Sequence, residues 1–128
     1  MAAGGAKQAL MTALHAILDP QEEVIFPAPY WVSYPEMVKL VGAVPVPVLP
    51  EDGSFIPRIQ DIEQVIGSYT KAVILNSPNN PSGAVYPAEF VKDVVELCEK
   101  RGLWLIMDDI YHRLIFDGRE PVNAYEFA

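Results

Sequence analysis

Apolar residues along this chain switch regularly between two kinds of spacing. Recurrence every three or four positions predicts four helices, over residues 6–18, 32–41, 59–66 and 87–101. Short continuous apolar runs predict four strands between and after them, at residues 24–26, 43–49, 72–75 and 103–107. Glycine and proline mark most of the boundaries, and residues 51–54 (Glu-Asp-Gly-Ser) predict a turn.

Strict alternation of helix and strand is typical of α/β proteins, in which helices cover both faces of a mostly parallel sheet. We therefore expect residues 1–128 to form a single three-layer α/β domain. Pro45 and Pro47 lack the N–H that pairing requires, so their strand is predicted at a sheet edge or poorly paired. Trp104, inside an apolar strand, and Cys98, on an apolar helix face, are predicted to lie in the core.

Composition narrows the classes of function. The formal net charge is −8, from 9 basic and 17 acidic residues, which disfavours nucleic acid as a partner. A single cysteine excludes an internal disulfide and a cysteine-based zinc cluster, and the histidines lack metal-like spacing. No apolar run approaches the roughly 20 residues of a membrane span, and no signal peptide is recognisable. We expect a cytoplasmic protein without a membrane partner and without a metal.

Four polar segments lie where an α/β sheet binds ligands, beyond the carboxyl ends of its strands or at a helix start. The first, Gly4–Lys7, opens a helix whose free backbone N–H groups suit a phosphate, although such a start is usually only a cap. The second contains Trp31, whose indole suits stacking on an aromatic ligand or packing under a loop.

The third segment, Asn79–Gly83, contains more turn-forming residues than a single turn needs, which indicates either a loop of fixed shape or an ordinary surface turn. The fourth begins at Asp108, directly after a strand, and includes Tyr111. A carboxylate at that position needs a cationic or hydrogen-bonding partner, and a protonated ring nitrogen of a ligand is one such partner. The alternative is a helix N-cap.

Taken together, these segments resemble one known pattern. Nearly the whole chain is similar to the large, cofactor-binding domain of fold-type I aminotransferases, especially the bacterial aspartate aminotransferase branch, which use pyridoxal 5′-phosphate (PLP). The motifs that carry the resemblance are Gly-Gly-Ala-Lys-Gln-Ala-Leu at 4–10, Pro-Ala-Pro-Tyr-Trp-Val-Ser-Tyr-Pro at 27–35, Asn-Ser-Pro-Asn-Asn-Pro-Ser-Gly at 76–83 and Asp-Asp-Ile-Tyr at 108–111. Each motif is modest, but their order and separations are specific.

The resemblance assigns cofactor contacts to residues in all four motifs. The backbone of the first motif matches the phosphate-binding segment, an aromatic residue matches the one that stacks on the pyridine ring, two residues match the partners of the 3′-oxygen, and a carboxylate matches the partner of the ring nitrogen. In that order, the residues are Gly5, Ala6 and Lys7; Trp31; Asn80 and Tyr111; and Asp108. The resemblance further implies cis peptide bonds at Ala28–Pro29 and Asn80–Pro81, and a Lys7 side chain that points away from the site.

The chain also departs from the family pattern. The family's Schiff-base lysine follows the Asp-x-x-Tyr motif by some tens of residues, and none of the five lysines here matches it. We therefore expect a fragment of an aminotransferase that binds PLP weakly or not at all and has no catalytic residue or activity of its own. The full-length family acts on an amino acid and a 2-oxo acid at a site between two subunits, which implies a homo-oligomer.

Two other functions remain open from the sequence. One is a non-catalytic α/β interaction module, or a truncated homologue that does not bind the cofactor, in which a sheet edge pairs with another chain. The other is a nucleotide-binding α/β domain, which is disfavoured because no glycine fingerprint follows a strand.

Overall fold

The structure, a computed structural model, describes residues 2–50 and 53–128. It contains the eight predicted elements in the predicted order, followed by one 3₁₀ turn. They are α1 (Ala6–Ile17), β1 (Glu23–Pro27), α2 (Ser33–Leu40), β2 (Val44–Val48), α3 (Ile59–Glu63), β3 (Thr70–Asn76), α4 (Ala88–Arg101), β4 (Trp104–Asp108) and the 3₁₀ turn Ala124–Glu126. The turn predicted over residues 51–54 includes Glu51 and Asp52, which lie outside the described residues.

The four strands form one sheet in the order β2-β1-β3-β4, and every neighbouring pair is parallel. The predicted three-layer α/β arrangement is confirmed, because α1 and α2 pack on one face of the sheet and α3 and α4 on the other. Alternate residues of β3 supply both faces: Ala72 and Ile74 belong to the α1–α2 side, and Val73 and Leu75 to the α3–α4 side. Cys98 lies in the core, as predicted.

The edge position predicted for β2 is confirmed, but this strand is not poorly paired. It pairs with β1 along its whole length, from Val44 to Val48. The Val44 N–H donates to the Glu22 carbonyl, so the backbone N–H groups of the alternating valines point toward β1. The backbone nitrogens of Pro45 and Pro47, which carry no hydrogen, point toward the open edge of the sheet.

The prediction that Trp104 lies in the core is wrong, since its side chain is 56% exposed. Its strand, β4, is the second edge of the sheet, and among residues 2–50 and 53–128 its one neighbouring strand is β3. Burial rises along β4 toward Asp108, which is buried. An apolar run identifies a strand, but the number of neighbours that cover the strand depends on the sheet order.

The sheet order also places a crevice in the middle of the fold. From β1 the chain moves outward through α2 to β2, and then returns across β1 to form β3 on the other side. Ligands of open α/β sheets bind at such a reversal, beyond the carboxyl ends of the strands. Here those ends are Pro27 of β1, Asn76 of β3 and Asp108 of β4, and the last two are direct partners in the register.

Candidate functional site

A cavity of about 260 Å³ opens beyond the carboxyl ends of β3 and β4 and beside the start of α1. Its lining includes every residue that the sequence analysis assigned to a cofactor, and three that it did not. The full lining is Gly5, Ala6, Lys7, Trp31, Tyr34, Asn76, Asn80, Asp108, Ile110 and Tyr111. The predicted convergence of the four segments is therefore confirmed, whereas their roles toward a cofactor stay predictions.

The amino-terminal end of α1 forms one wall of the cavity. Gly5 is the N-cap residue, with a φ of 127° that glycine adopts readily and other residues rarely do. Within the described residues, no side chain caps this helix. The first N–H groups of a helix have no partner inside it and carry the positive end of the helix dipole. Because Gly5, Ala6 and Lys7 line the cavity, these donors suit an anion there.

Trp31 precedes α2 and forms an aromatic wall of the cavity. The Nζ atom of Lys7 lies 4.8 Å from the centre of the Trp31 ring, which is within the range of a cation–π interaction. The expectation that the Lys7 side chain points away from the site is therefore wrong. The attraction between an ammonium group and an indole face holds this side chain over the cavity wall.

Asp108 is the last residue of β4, and only 8% of its surface is exposed. Its Oδ2 accepts a hydrogen bond of 2.7 Å from the Tyr34 hydroxyl. Among the described residues, the hydrogen-bond partner of Oδ1 is the Ile110 N–H, at 3.5 Å. A carboxylate oxygen accepts more than one hydrogen bond, and a buried carboxylate is costly unless its oxygens are satisfied. Oδ1 thus retains capacity for a donor on a ligand.

The polar loop after β3 has a fixed shape, as one of the two alternatives predicted. The Asn79 side chain accepts hydrogen bonds from the N–H and hydroxyl of Ser82, and its backbone N–H donates to the Ala84 carbonyl. The Asn76 side chain links the loop to the sheet, because it accepts from the Asn80 N–H at 2.7 Å and donates to the Asp108 carbonyl at 2.9 Å. The loop therefore holds Asn80 in a defined position relative to Asp108.

Asn80 and Tyr111 approach each other at the cavity. The Asn80 Nδ2 lies 3.5 Å from the Tyr111 hydroxyl, although the two residues are 31 positions apart. Two polar side chains from different strand ends thus face one small volume, as two partners of a single ligand oxygen require. The predicted cis bonds at Ala28–Pro29 and Asn80–Pro81 are both present, and Ser77–Pro78 is a third that the sequence analysis did not predict.

Tyr34, Asn76 and Ile110 line the cavity but were not identified from the sequence. Tyr34 follows Trp31 by three positions, the spacing that brings two residues to the same side of a helical turn. Asn76 ends an apolar run, as Asp108 does. Both signals were available, but neither identifies a site until the sheet order is known. His112 lies nearby in sequence, and it is exposed and does not line the cavity.

Two other features are absent from residues 2–50 and 53–128, namely a metal site and a membrane-spanning helix. No group of three or more histidine, cysteine, aspartate or glutamate side chains is placed to hold a metal ion in that part of the chain. None of the helices there has the length and apolar character needed to cross a membrane.

The geometry has close counterparts among known proteins. The family Aminotransferase class I and II matches residues 1–127, and the chain belongs to this family. It is 50% identical over 116 residues to a probable aspartate/prephenate aminotransferase of Thermus aquaticus, covering 89% of this chain and 30% of that protein. It is 46% identical over 125 residues to the aspartate aminotransferase of Geobacillus stearothermophilus, covering 97% of this chain and 32% of that protein.

Solved structures of aminotransferases also share the fold of this chain. A single mutant of the Thermus thermophilus aspartate aminotransferase superposes with a TM-score of 0.92 at 42% identity, covering 97% of this chain and 32% of that one. An aromatic aminotransferase from Pyrococcus horikoshii gives a TM-score of 0.89 at 33% identity, covering 94% of this chain and 32% of that one. The chain thus spans about a third of the length of these relatives. Membership of the family implies PLP as the cofactor.

Proposed function

We propose that this chain forms the PLP-binding part of an aminotransferase that transfers an amino group between an aspartate-like amino acid and a 2-oxo acid. The observation that carries the proposal is the buried Asp108 carboxylate at the cavity, with Oδ1 able to accept a further hydrogen bond. A neighbouring carboxylate favours the protonated form of a pyridine nitrogen. Asp108 would hold a proton on that nitrogen.

The other cavity residues fit the same ligand. PLP is a flat aromatic ring that carries a phosphate, a ring nitrogen and a ring oxygen. The cavity offers an indole in Trp31, unpaired helix amides at Gly5–Lys7, the Asp108 carboxylate, and the Asn80–Tyr111 pair. A surface that only packs against protein has no need of an anion site and a buried carboxylate in one cavity.

Each of these residues would have a separate task. Trp31 would cover the ring and exclude water from one face. The α1 amides would bind the phosphate through hydrogen bonds and the helix dipole. Asn80 and Tyr111 would donate to the ring oxygen and set the rotation of the ring in its plane. PLP, when bound, supplies the electron sink that makes the α-hydrogen of an amino acid acidic.

The substrate class rests on the relatives. The curated relatives of this chain are named as aspartate or aspartate/prephenate aminotransferases. Identity of 40% to 50% over nearly the whole chain supports an aspartate-like amino donor. The choice among amino acids of this class is a property of the whole protein.

The proposed protein is a homo-oligomer. Leu114 and Phe116 are 60% and 73% exposed, and they line an apolar groove with Tyr111 beside the cavity. We expect this chain to self-associate reversibly in sedimentation equilibrium, because uncovered apolar surface of this kind favours association. Phe116→Asp is expected to shift the equilibrium toward the monomer, whereas Phe55→Asp, at a residue that is 57% exposed outside this groove, is not. Equal shifts in both variants contradict the assignment of self-association to this groove.

Stacking on Trp31 is tested by fluorescence, because the chain contains only two tryptophans. The probe is pyridoxamine 5′-phosphate (PMP), which has the ring and phosphate of PLP but no aldehyde to react with lysines. We expect PMP to quench the fluorescence of the Trp104→Phe variant, in which Trp31 remains, and to leave that of Trp31→Phe nearly unchanged. Trp104 is the matched control, since it lies at the start of β4, at the opposite end from Asp108. Saturable quenching of Trp104 alone contradicts the proposed site.

A further inference from the structure

Tyr34 is the polar residue at the cavity that no assigned role explains. It lies in the first turn of α2 and is 1% exposed, yet it also lines the cavity. Its hydroxyl donates to Asp108 Oδ2 at 2.7 Å, across 74 positions of sequence. A short hydrogen bond to a buried carboxylate is among the stronger interactions available to a neutral side chain.

The ring of Tyr34 is held on two sides. Its centre lies 5.6 Å from that of Trp31, edge to face at 88°, and 5.9 Å from that of Phe26. These contacts belong to the core cluster on the α1–α2 side of the sheet, so the hydroxyl has little freedom to turn away. Burial, together with the hydrogen bond to the Asp108 carboxylate, raises the pKa of Tyr34 well above its ordinary value. The hydroxyl is therefore a donor at neutral pH.

The hydrogen bond makes the two oxygens of Asp108 unequal. Oδ2 is bound to a fixed donor, whereas the contact of Oδ1 within the described part of the chain is the long one with the Ile110 N–H. Without Tyr34 the carboxylate gains rotational freedom about its terminal torsion, which has a broad energy profile. A ligand N–H would then have to order the carboxylate as well as bind it.

We propose that Tyr34 is a positioning residue that acts through Asp108: its hydroxyl binds Oδ2 and thereby presents Oδ1 to the protonated ring nitrogen of the cofactor. This inference rests on the proposed function, because it requires a pyridine ring in the cavity.

The test is a cycle of two proteins and two ligands. The ligands are PMP and its 1-deaza analogue, in which C–H replaces the ring nitrogen, and binding is measured by calorimetry. Tyr34→Phe is expected to weaken PMP binding roughly tenfold, the upper size of the cost of ordering one freed side chain on binding, here the Asp108 carboxylate. It should leave the affinity for the deaza analogue unchanged within about twofold, since that ligand has no N–H for Oδ1. Any loss that does not depend on the ring N–H would affect both ligands equally, and it cancels when the two ratios are compared.

The matched control is Tyr30→Phe. Tyr30 is also an aromatic neighbour of Phe26 but does not line the cavity, so this substitution should change neither affinity. A purely structural role for Tyr34 predicts equal losses for both ligands in Tyr34→Phe, and that result overturns the inference. No loss for PMP overturns it as well. Failure of the unsubstituted protein to bind PMP is a different outcome, and it contradicts the proposed function itself.

A measurement on the unsubstituted protein covers the case in which Tyr34→Phe does not fold. The hydroxyl proton of Tyr34 is buried and hydrogen-bonded, so we expect a slowly exchanging resonance in proton NMR spectra. It should persist when PMP binds, and a ¹⁵N-labelled ring nitrogen should show the chemical shift of the protonated form. Loss of the hydroxyl resonance on binding, or an unprotonated nitrogen, contradicts the positioning role.

Discussion

Replacing Asp108 with alanine is expected to weaken PMP binding about 100-fold, because the substitution removes a hydrogen bond to a charged group, worth about 1.5–3 kcal/mol, within a cavity of low dielectric. Calorimetric titration at neutral pH measures the change. The same substitution should also lower the midpoint of urea unfolding, since the buried Tyr34 hydroxyl loses its acceptor. An unsatisfied buried hydroxyl costs about 1–3 kcal/mol.

Asp108→Asn separates charge from shape at this position, and Asp109→Ala is its control. Asp109→Ala removes the neighbouring carboxylate, which does not line the cavity, and is expected to bind PMP as the unsubstituted chain does. Asp108→Asn keeps an acceptor for Tyr34 but has no negative charge, so it should retain most of the stability and lose most of the affinity. Equal affinities for Asp108→Asn and the unsubstituted chain contradict the role given to the charge.

The second large effect is on turnover. We expect a polypeptide of these 128 residues to show no measurable transamination of aspartate and 2-oxoglutarate when PLP is added. The reaction needs a lysine that binds the cofactor covalently and then moves the substrate proton, and its effectiveness depends on position. An assay that couples oxaloacetate to reduction by NADH measures the rate.

The positions of the five lysines support this expectation. Three of them lie in ion pairs with glutamates, and a fourth lies beside a different groove at α4: Lys39, Lys71, Lys92 and Lys100. Lys7 alone lines the cavity, and its Nζ lies over the Trp31 ring. Borohydride treatment of the PLP-soaked chain, followed by mass spectrometry, tests all five. A single labelled lysine with steady turnover, both abolished in Lys7→Met, contradicts the prediction.

The fold was accessible from the sequence because each element has its own local pattern. Apolar runs and helical spacing identified all eight elements, and the two prolines of β2 correctly predicted an edge. The prediction that Trp104 is buried failed because the exposure of this residue depends on how many strands lie beyond β4. The pattern of an apolar run contains no such information.

The site was accessible in part for the same reason. Asp108, Asn80 and Trp31 stand out because each is a polar or aromatic residue at a strand end, and strand ends meet in a parallel sheet. Tyr34 lies within an ordinary amphipathic helix, and its contact with Asp108 crosses between elements. The direction of the Lys7 side chain was predicted wrongly because it depends on a contact with Trp31, which lies 24 residues further along the chain. Contacts of this kind follow from packing and have no local signal.

We expect PMP and PLP to bind in the cavity between α1, Trp31 and the ends of β3 and β4. The most direct test is a ¹H–¹⁵N NMR titration of the ¹⁵N-labelled chain with PMP. We predict saturable shifts concentrated at the amides of Gly5, Ala6 and Lys7, the Trp31 indole and the Asn80 side chain. Saturable shifts confined to Trp104 and the outer edge of β4, or no saturable shifts at millimolar PMP, contradict it.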